Sequence, residues 1–134
     1  ADLPDNCLLT PHVGELARVL GTDREAVEAD PRWHASEAAT RFGAAVLLKG
    51  GVQFVATPDG EVRMPVKGPA WTAQAGSGDV LAGVCGTLLA AGLPAAEAGV
   101  LAASLQAITA EDHPGPHPPD RLAELFADVL GRLA

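Results

Sequence analysis

The sequence has no tyrosine, one methionine and two cysteines, and its aromatic side chains are only Phe42, Phe54, Phe126, Trp33 and Trp71. With so few rings, a folded core has to be aliphatic. Cys7 and Cys85 lack the density of a disulfide scaffold and the close spacing of a zinc site, so both read as small buried hydrophobes. Basic side chains are scarce: 9 Lys and Arg against 17 Asp and Glu leave a net charge of −8 and a pI near 4.8. Long-range repulsion then argues against nucleic acid and anionic membrane as partners, and any phosphate ligand needs a local device. No apolar run is long enough to span a bilayer. The opening ADLPDNCLLT lacks the basic start and apolar stretch of a secretory signal, so a cytoplasmic location is expected.

What is present fits one folded domain, residues 1–134, at 48% apolar content. Asn6 to Thr10 reads as a short strand, and Pro11 then suits the first turn of a helix closed by Gly21. Thr22 with Glu25 makes a capping box for a second helix, and Asp30-Pro31 opens a third that runs to about Phe42. The apolar run Ala44 to Leu48 predicts a strand covered on both faces. Gln53–Thr57 and Glu61–Val66 flank Pro58-Asp59-Gly60 as a hairpin. After a loop, residues 79–91 predict a helix buried on most sides, and Ala95 to about Asp112 another. The final helix carries Leu122, Leu125, Phe126, Val129, Leu130 and Leu133 on one stripe. The class is α/β: a layered, mostly parallel sheet with an antiparallel edge and helices on both faces.

Three segments carry chemistry. In A-G-S-G-D-V-L-A-G, residues 75–83, glycines stand at the doorstep of a helix whose first amides are free, which makes an anion hole. Asp79 in that place would repel phosphate, unless a substrate hydroxyl lies between them and gives its proton to the carboxylate. The plain structural alternative is that Ser77 and Asp79 only cap the helix. In V-L-L-K-G-G, residues 46–51, Lys49 and two glycines leave the carboxyl end of a buried strand, where open α/β sheets bind ligands; a surface lysine before a turn is the alternative. In L-T-P-H-V-G-E, residues 9–15, His12 and Glu15 follow another strand onto the same edge, where a histidine also serves as a helix cap. His113 and His117 are separated by prolines that forbid helical pairing, so no metal site is expected there.

Together, in this order and spacing, the three segments resemble the ADP- or ATP-dependent NAD(P)H-hydrate dehydratases of the ribokinase-like superfamily, whose pattern is L-T-P-H-x-G-E, V-x-L-K-G and A-G-S-G-D-V-L-x-G. The resemblance implies a Rossmann-like, ribokinase-like layered fold. It also implies repair of hydrated NADH or NADPH, in which ADP or ATP, with Mg2+, phosphorylates the hydrate's hydroxyl before phosphate leaves. On it, Asp79 is the base and touches substrate, Gly76, Ser77 and Gly78 form the anion hole, and His12 contacts the hydrated nucleotide. Lys49, Gly50, Gly51, Val52, Gln53 and Gly78 bind the adenine nucleotide.

The chain departs from the family at Val13, where proline is usual, and at Gly51-Val52-Gln53, where A-x-T is usual. Before the glycines, Gly68 to Gln74 replaces an Asn-x-G-x-x-x-A-T-like segment. The resemblance covers the carboxyl-terminal half of the family's catalytic domain. An open strand edge or apolar face, self-association into a homo-oligomer, and a fused or separate epimerase are expected from it. Two other readings stay open: a small-molecule kinase of the same superfamily, and a nucleotide-binding module without catalysis.

Overall fold

The computed structural model describes residues 3–133, with the side chain of Leu133, last of the expected apolar stripe, outside the described residues. In chain order the elements are β1 (Leu8–Leu9), α1 (Val13–Leu20), α2 (Arg24–Ala29), α3 (Pro31–Phe42), β2 (Ala45–Leu48), β3 (Phe54–Ala56) and β4 (Val62–Arg63). A 3-10 turn (Ala70–Thr72) follows, then α4 (Ser77–Ala90), α5 (Ala95–Asp112), α6 (Pro119–Glu124) and α7 (Phe126–Leu133).

The four strands form one sheet in the order β1-β2-β3-β4. β1 pairs with β2 in parallel, while β2–β3 and β3–β4 are antiparallel, so the described sheet is mixed rather than mostly parallel. The antiparallel part is the expected hairpin, β3–β4, turned at Pro58-Asp59-Gly60, together with β2–β3, joined through residues 49–53, so it supplies more of this small sheet than the apolar runs suggested.

Side chains alternate across a strand, and here both faces are covered. Val46, Leu48 and Ala56 point toward α1, α2 and α3, where Leu16, Val27, Ala35, Ala38 and Ala39 meet them. Leu47 and Val55 point the other way, onto Leu81 and Cys85 of α4 and Ala102 and Ala103 of α5. Every residue of β2 is buried, as a run without polar residues requires. Burying its Val46, Leu47 and Leu48 stabilises the fold by about 1.5–3 kcal/mol each. A third cluster holds α6 and α7 on α5 through Leu122, Phe126 and Val129 around Leu105 and Ala110.

Several local expectations change. The cap of α2 is Asp23, whose carboxylate accepts from the Ala26 amide at 2.9 Å, and not a Thr22–Glu25 box. The last helix is two helices, α6 and α7, because the chain turns at Leu125 to bring Phe126 and Val129 onto α5. Cys85 is buried but Cys7 only half-buried. In α4 only Leu81 and Cys85 are buried, and its Ala82, Gly83 and Gly86 face solvent, so this helix is covered on one side rather than most.

Candidate active site at the carboxyl edge of β1 and β2

Because β1 and β2 run parallel, the segments leaving their carboxyl ends emerge side by side. A parallel bridge between His12 and Lys49 continues the pairing, and the Lys49 amide donates to the Pro11 carbonyl at 2.9 Å. Residues far apart in sequence are thereby fixed on one edge, where open α/β sheets place ligands.

α4 starts against this edge. Its N-cap, Gly76, has φ 90° and ψ −13°, a left-handed conformation that glycine alone adopts without strain. No side chain caps the helix, so Ser77 and Asp79 do not play the capping part set out as the structural alternative. The Ser77 amide already donates to the Gln74 carbonyl at 3.0 Å, which corrects its expected place among free amides. The amides of Gly76, Gly78 and Asp79 have no backbone acceptor among the described residues.

Lys49 faces those amides. A Cβ placed on Gly78 would stand 3.1 Å from Lys49 Nζ, so the ammonium rests against the first turn of the helix. Among the described residues Lys49 has no ion-pair partner, in a chain with nearly twice as many acids as bases. An ammonium beside the positive end of an uncapped helix is an arrangement that an anion completes.

Between these elements lies a cleft of about 330 Å³. His12, Lys49, Gly50, Gly51, Gln53, Ser77 and Gly78, all expected in the site, line it. Gly76 and Asp79 stand outside its lining and are exposed at the start of α4. Val52 lies outside this lining and borders a second cavity of about 280 Å³, which it shares with Lys49, Gly50 and Gly51 and which reaches Glu28 and Pro31. Thr72, Ala73, Leu81 and Gln106 also line the cleft and were not foreseen; the one available signal was Gln106 itself, a lone amide in the apolar stretch of α5. Gly50, Gly51, Gln53, Thr72 and Ala73 are shared with an adjoining cavity of about 200 Å³ reaching Lys67 and Gly68.

His12 is both a cap and a cleft residue. Its Nδ1 accepts from the Glu15 amide at 3.1 Å while Glu15 Oε1 accepts from the His12 amide at 3.0 Å, a capping box for α1. Accepting at Nδ1 leaves the ring proton on Nε2. The His12 N–H bond holds the Glu15 carboxyl below its ordinary range, helped by the charges of Lys49 and Arg18. Burial pushes the Cys85 thiol up, consistent with packing rather than chemistry. Among the described residues no three His, Cys, Asp or Glu side chains come together to hold a metal.

A family model described as NAD(P)H-hydrate dehydratase matches residues 1–129. The chain belongs to the NAD(P)H-hydrate dehydratase family. A Mycobacterium leprae protein named bifunctional NAD(P)H-hydrate repair enzyme Nnr is 50% identical over 114 residues, which is 81% of this chain and 23% of that protein. An ADP-dependent (S)-NAD(P)H-hydrate dehydratase of Neisseria meningitidis serogroup B is 45% identical over 79% of this chain and 36% of its own length. Among solved structures, the ADP/ATP-dependent NAD(P)H-hydrate dehydratase of Bacillus subtilis, co-crystallised with ATP and Mg2+, superposes with a TM-score of 0.83. It is 29% identical, over 95% of this chain and 48% of that one. A ribokinase-like superfamily protein of Enterococcus faecalis, 22% identical with a TM-score of 0.84 over 98% of this chain and 46% of that one, shares the fold. The chain therefore has the family's ribokinase-like fold and spans about half the length of those solved relatives. No described helix is long and apolar enough to cross a membrane.

Proposed function

We propose that this chain supplies the nucleotide-holding and proton-handling half of an NAD(P)H-hydrate dehydratase site. The observation that carries the reading is the unpaired Lys49 ammonium against Gly78 at the uncapped start of α4. There the terminal phosphate of ADP or ATP takes the Gly76, Gly78 and Asp79 amides and the Lys49 charge, with the Ser77 hydroxyl as its neighbour. Gly50, Gly51 and Gln53 line the path of the rest of the nucleotide, and Val52 holds that turn from behind.

The hydroxyl of hydrated NADH or NADPH attacks the terminal phosphorus: the new O–P bond forms, the P–O bond to the departing nucleotide breaks, and the hydroxyl proton passes to Asp79. Phosphate then leaves from carbon, and loss of a proton from the adjacent carbon restores the double bond. The sum is hydrate and ADP to dinucleotide, AMP and phosphate. His12, in the lining of the same cleft, contacts the hydrated ring. Mg2+, when bound with the nucleotide, would neutralise phosphate charge; among the described residues no cluster of carboxylate or imidazole donors stands ready to hold it.

A cytoplasmic location follows from the dinucleotide substrate, and an epimerase, fused or separate, fits a relative named bifunctional. Calorimetry with ADP on wild type, Lys49→Ala and Asp79→Asn tests the reading. The expected results are binding by wild type, at least tenfold weaker binding by Lys49→Ala and undiminished binding by Asp79→Asn. Assayed for AMP and phosphate with hydrated NADH, Asp79→Asn loses turnover. Absence of ADP binding by wild type sinks the proposal, and phosphate retained on a stable alcohol ester would favour the kinase reading.

A further inference from the structure

Gln106 has no part in the phosphate chemistry, yet it is 8% exposed and lines the cleft from α5. Its neighbours on α5 are satisfied: Ser104 Oγ accepts from the Val66 amide at 3.1 Å, and Thr109 Oγ1 donates to the Leu105 carbonyl at 2.6 Å. Among the described residues the Gln106 amide makes no hydrogen bond. Across the same cleft, Gln53 Oε1 is sealed from solvent and also has no partner. Buried polar groups in folded proteins are almost always bonded, so the sealed and unbonded Gln53 Oε1, beside a Gln106 amide that opens onto the same cleft, marks what a ligand brings.

We infer that Gln106, together with Gln53, is a specificity-determining pair that reads a ligand edge carrying an N–H donor beside an acceptor. A carboxamide offers one acceptor and two donors, the pattern that pairs with an adenine edge or with another carboxamide. Two groups of the reactants named above have this chemistry: the amino and ring nitrogens of adenine, and the carboxamide of the hydrated nicotinamide. A cleft whose amides pair with such an edge disfavours the analogue that lacks it, because Gln53 Oε1 is then left unpaired. The inference rests on the proposed function for the identity of those two reactants and not for the cleft itself.

The experiment is calorimetry on the intact chain with two ligand pairs. ADP against inosine diphosphate replaces the ring amino group by a carbonyl. Nicotinamide mononucleotide against nicotinic acid mononucleotide replaces the carboxamide by a carboxylate. Wild type is expected to prefer the amino or amide member of one pair by about tenfold, and that pair identifies the source. Gln106→Met, similar in size and without the amide, is expected to lose the preference. Thermal melts report folding, and if Gln106→Met fails to fold, Gln53→Met, at a less buried position, carries the same comparison. Equal binding within both pairs by wild type, or an unchanged preference in the folded variants, overturns the inference while leaving ADP binding through Lys49 and α4 intact. Failure of wild type to bind any of the four removes the proposed function along with it.

Discussion

Lys49 and Gly78 each make sense only beside the other. A lysine whose ammonium lay in water would be a surface charge of little consequence, and a glycine in the first turn of a helix is a poor choice for stability. Set together, the absent Cβ of Gly78 is what lets Lys49 Nζ lie against the helix, since a methyl group there would stand 3.1 Å away. Gly78→Ala separates stability from binding. Alanine is the better helix former, and the unpaired lysine side chain can swing aside, so the melting temperature should hold or rise, by no more than about 0.5–1 kcal/mol of added stability. The displaced ammonium should weaken ADP binding several-fold. Melting curves and calorimetry on one protein preparation check both halves, and a variant that bound ADP as tightly as wild type would show that Lys49 need not touch the helix start.

At the scale of elements, α1 depends on a pair of reciprocal bonds at its entrance that also orients His12. Glu15 is held below its ordinary range first by the His12 amide bond, so its ionised form is favoured by folding. A depressed carboxyl contributes stability above the unfolded pKa, about 4.3, and loses it as pH falls through the lowered folded value. Glu15→Gln should therefore show a smaller loss of melting temperature between about pH 5 and pH 3 than wild type, although exposure of both partners keeps the difference small. Equal acid sensitivity of the two proteins would mean that the carboxylate form of the box does not matter. Much of this was legible in the residues: the buried β2 from an unbroken apolar run, the hairpin from Pro58-Asp59-Gly60, and the helix entrances at Asp30 and Gly76; Pro11, expected in the first turn of α1, stands just before it, because His12 takes the cap. Thr22 and Asp23 are equally good caps side by side, so sequence could not choose between them. The start of α5 was placed correctly at Ala95, but the bond that fixes this helix was illegible. Its first amide, on Ala95, is held at 2.7 Å by Asn6 Oδ1, from 89 residues away in the chain, and nothing local announces such a bond. Gln106 was likewise hidden, because a single amide in a helix gives no hint of which wall it faces until the sheet is assembled.

The molecule as a whole has one side unfinished. β1 is a terminal strand of the sheet, paired only with β2 among the described residues. Beside it, Leu9, Val46, Leu16 and Phe42 line a mostly apolar cavity of about 510 Å³. A free edge next to apolar surface is a site for added chain, and the solved relatives contain about as much again of polypeptide as this chain matches. The −8 charge opposes self-association through long-range repulsion, but salt screens that term and leaves the apolar one. In isolation the chain should therefore associate through this side, more strongly at about 0.5 M than at 0.05 M salt, as sedimentation velocity would register. Val19 borders the same cavity, is 53% exposed and lies in the last turn of α1, where a lysine suits the helix dipole. Val19→Lys should shift the distribution toward monomer with the melting temperature of the monomer unchanged within about 0.5 kcal/mol. A variant that associates as wild type does would move the contact elsewhere, and the solvent-facing Ala82, Gly83 and Gly86 of α4 would be the next surface to test.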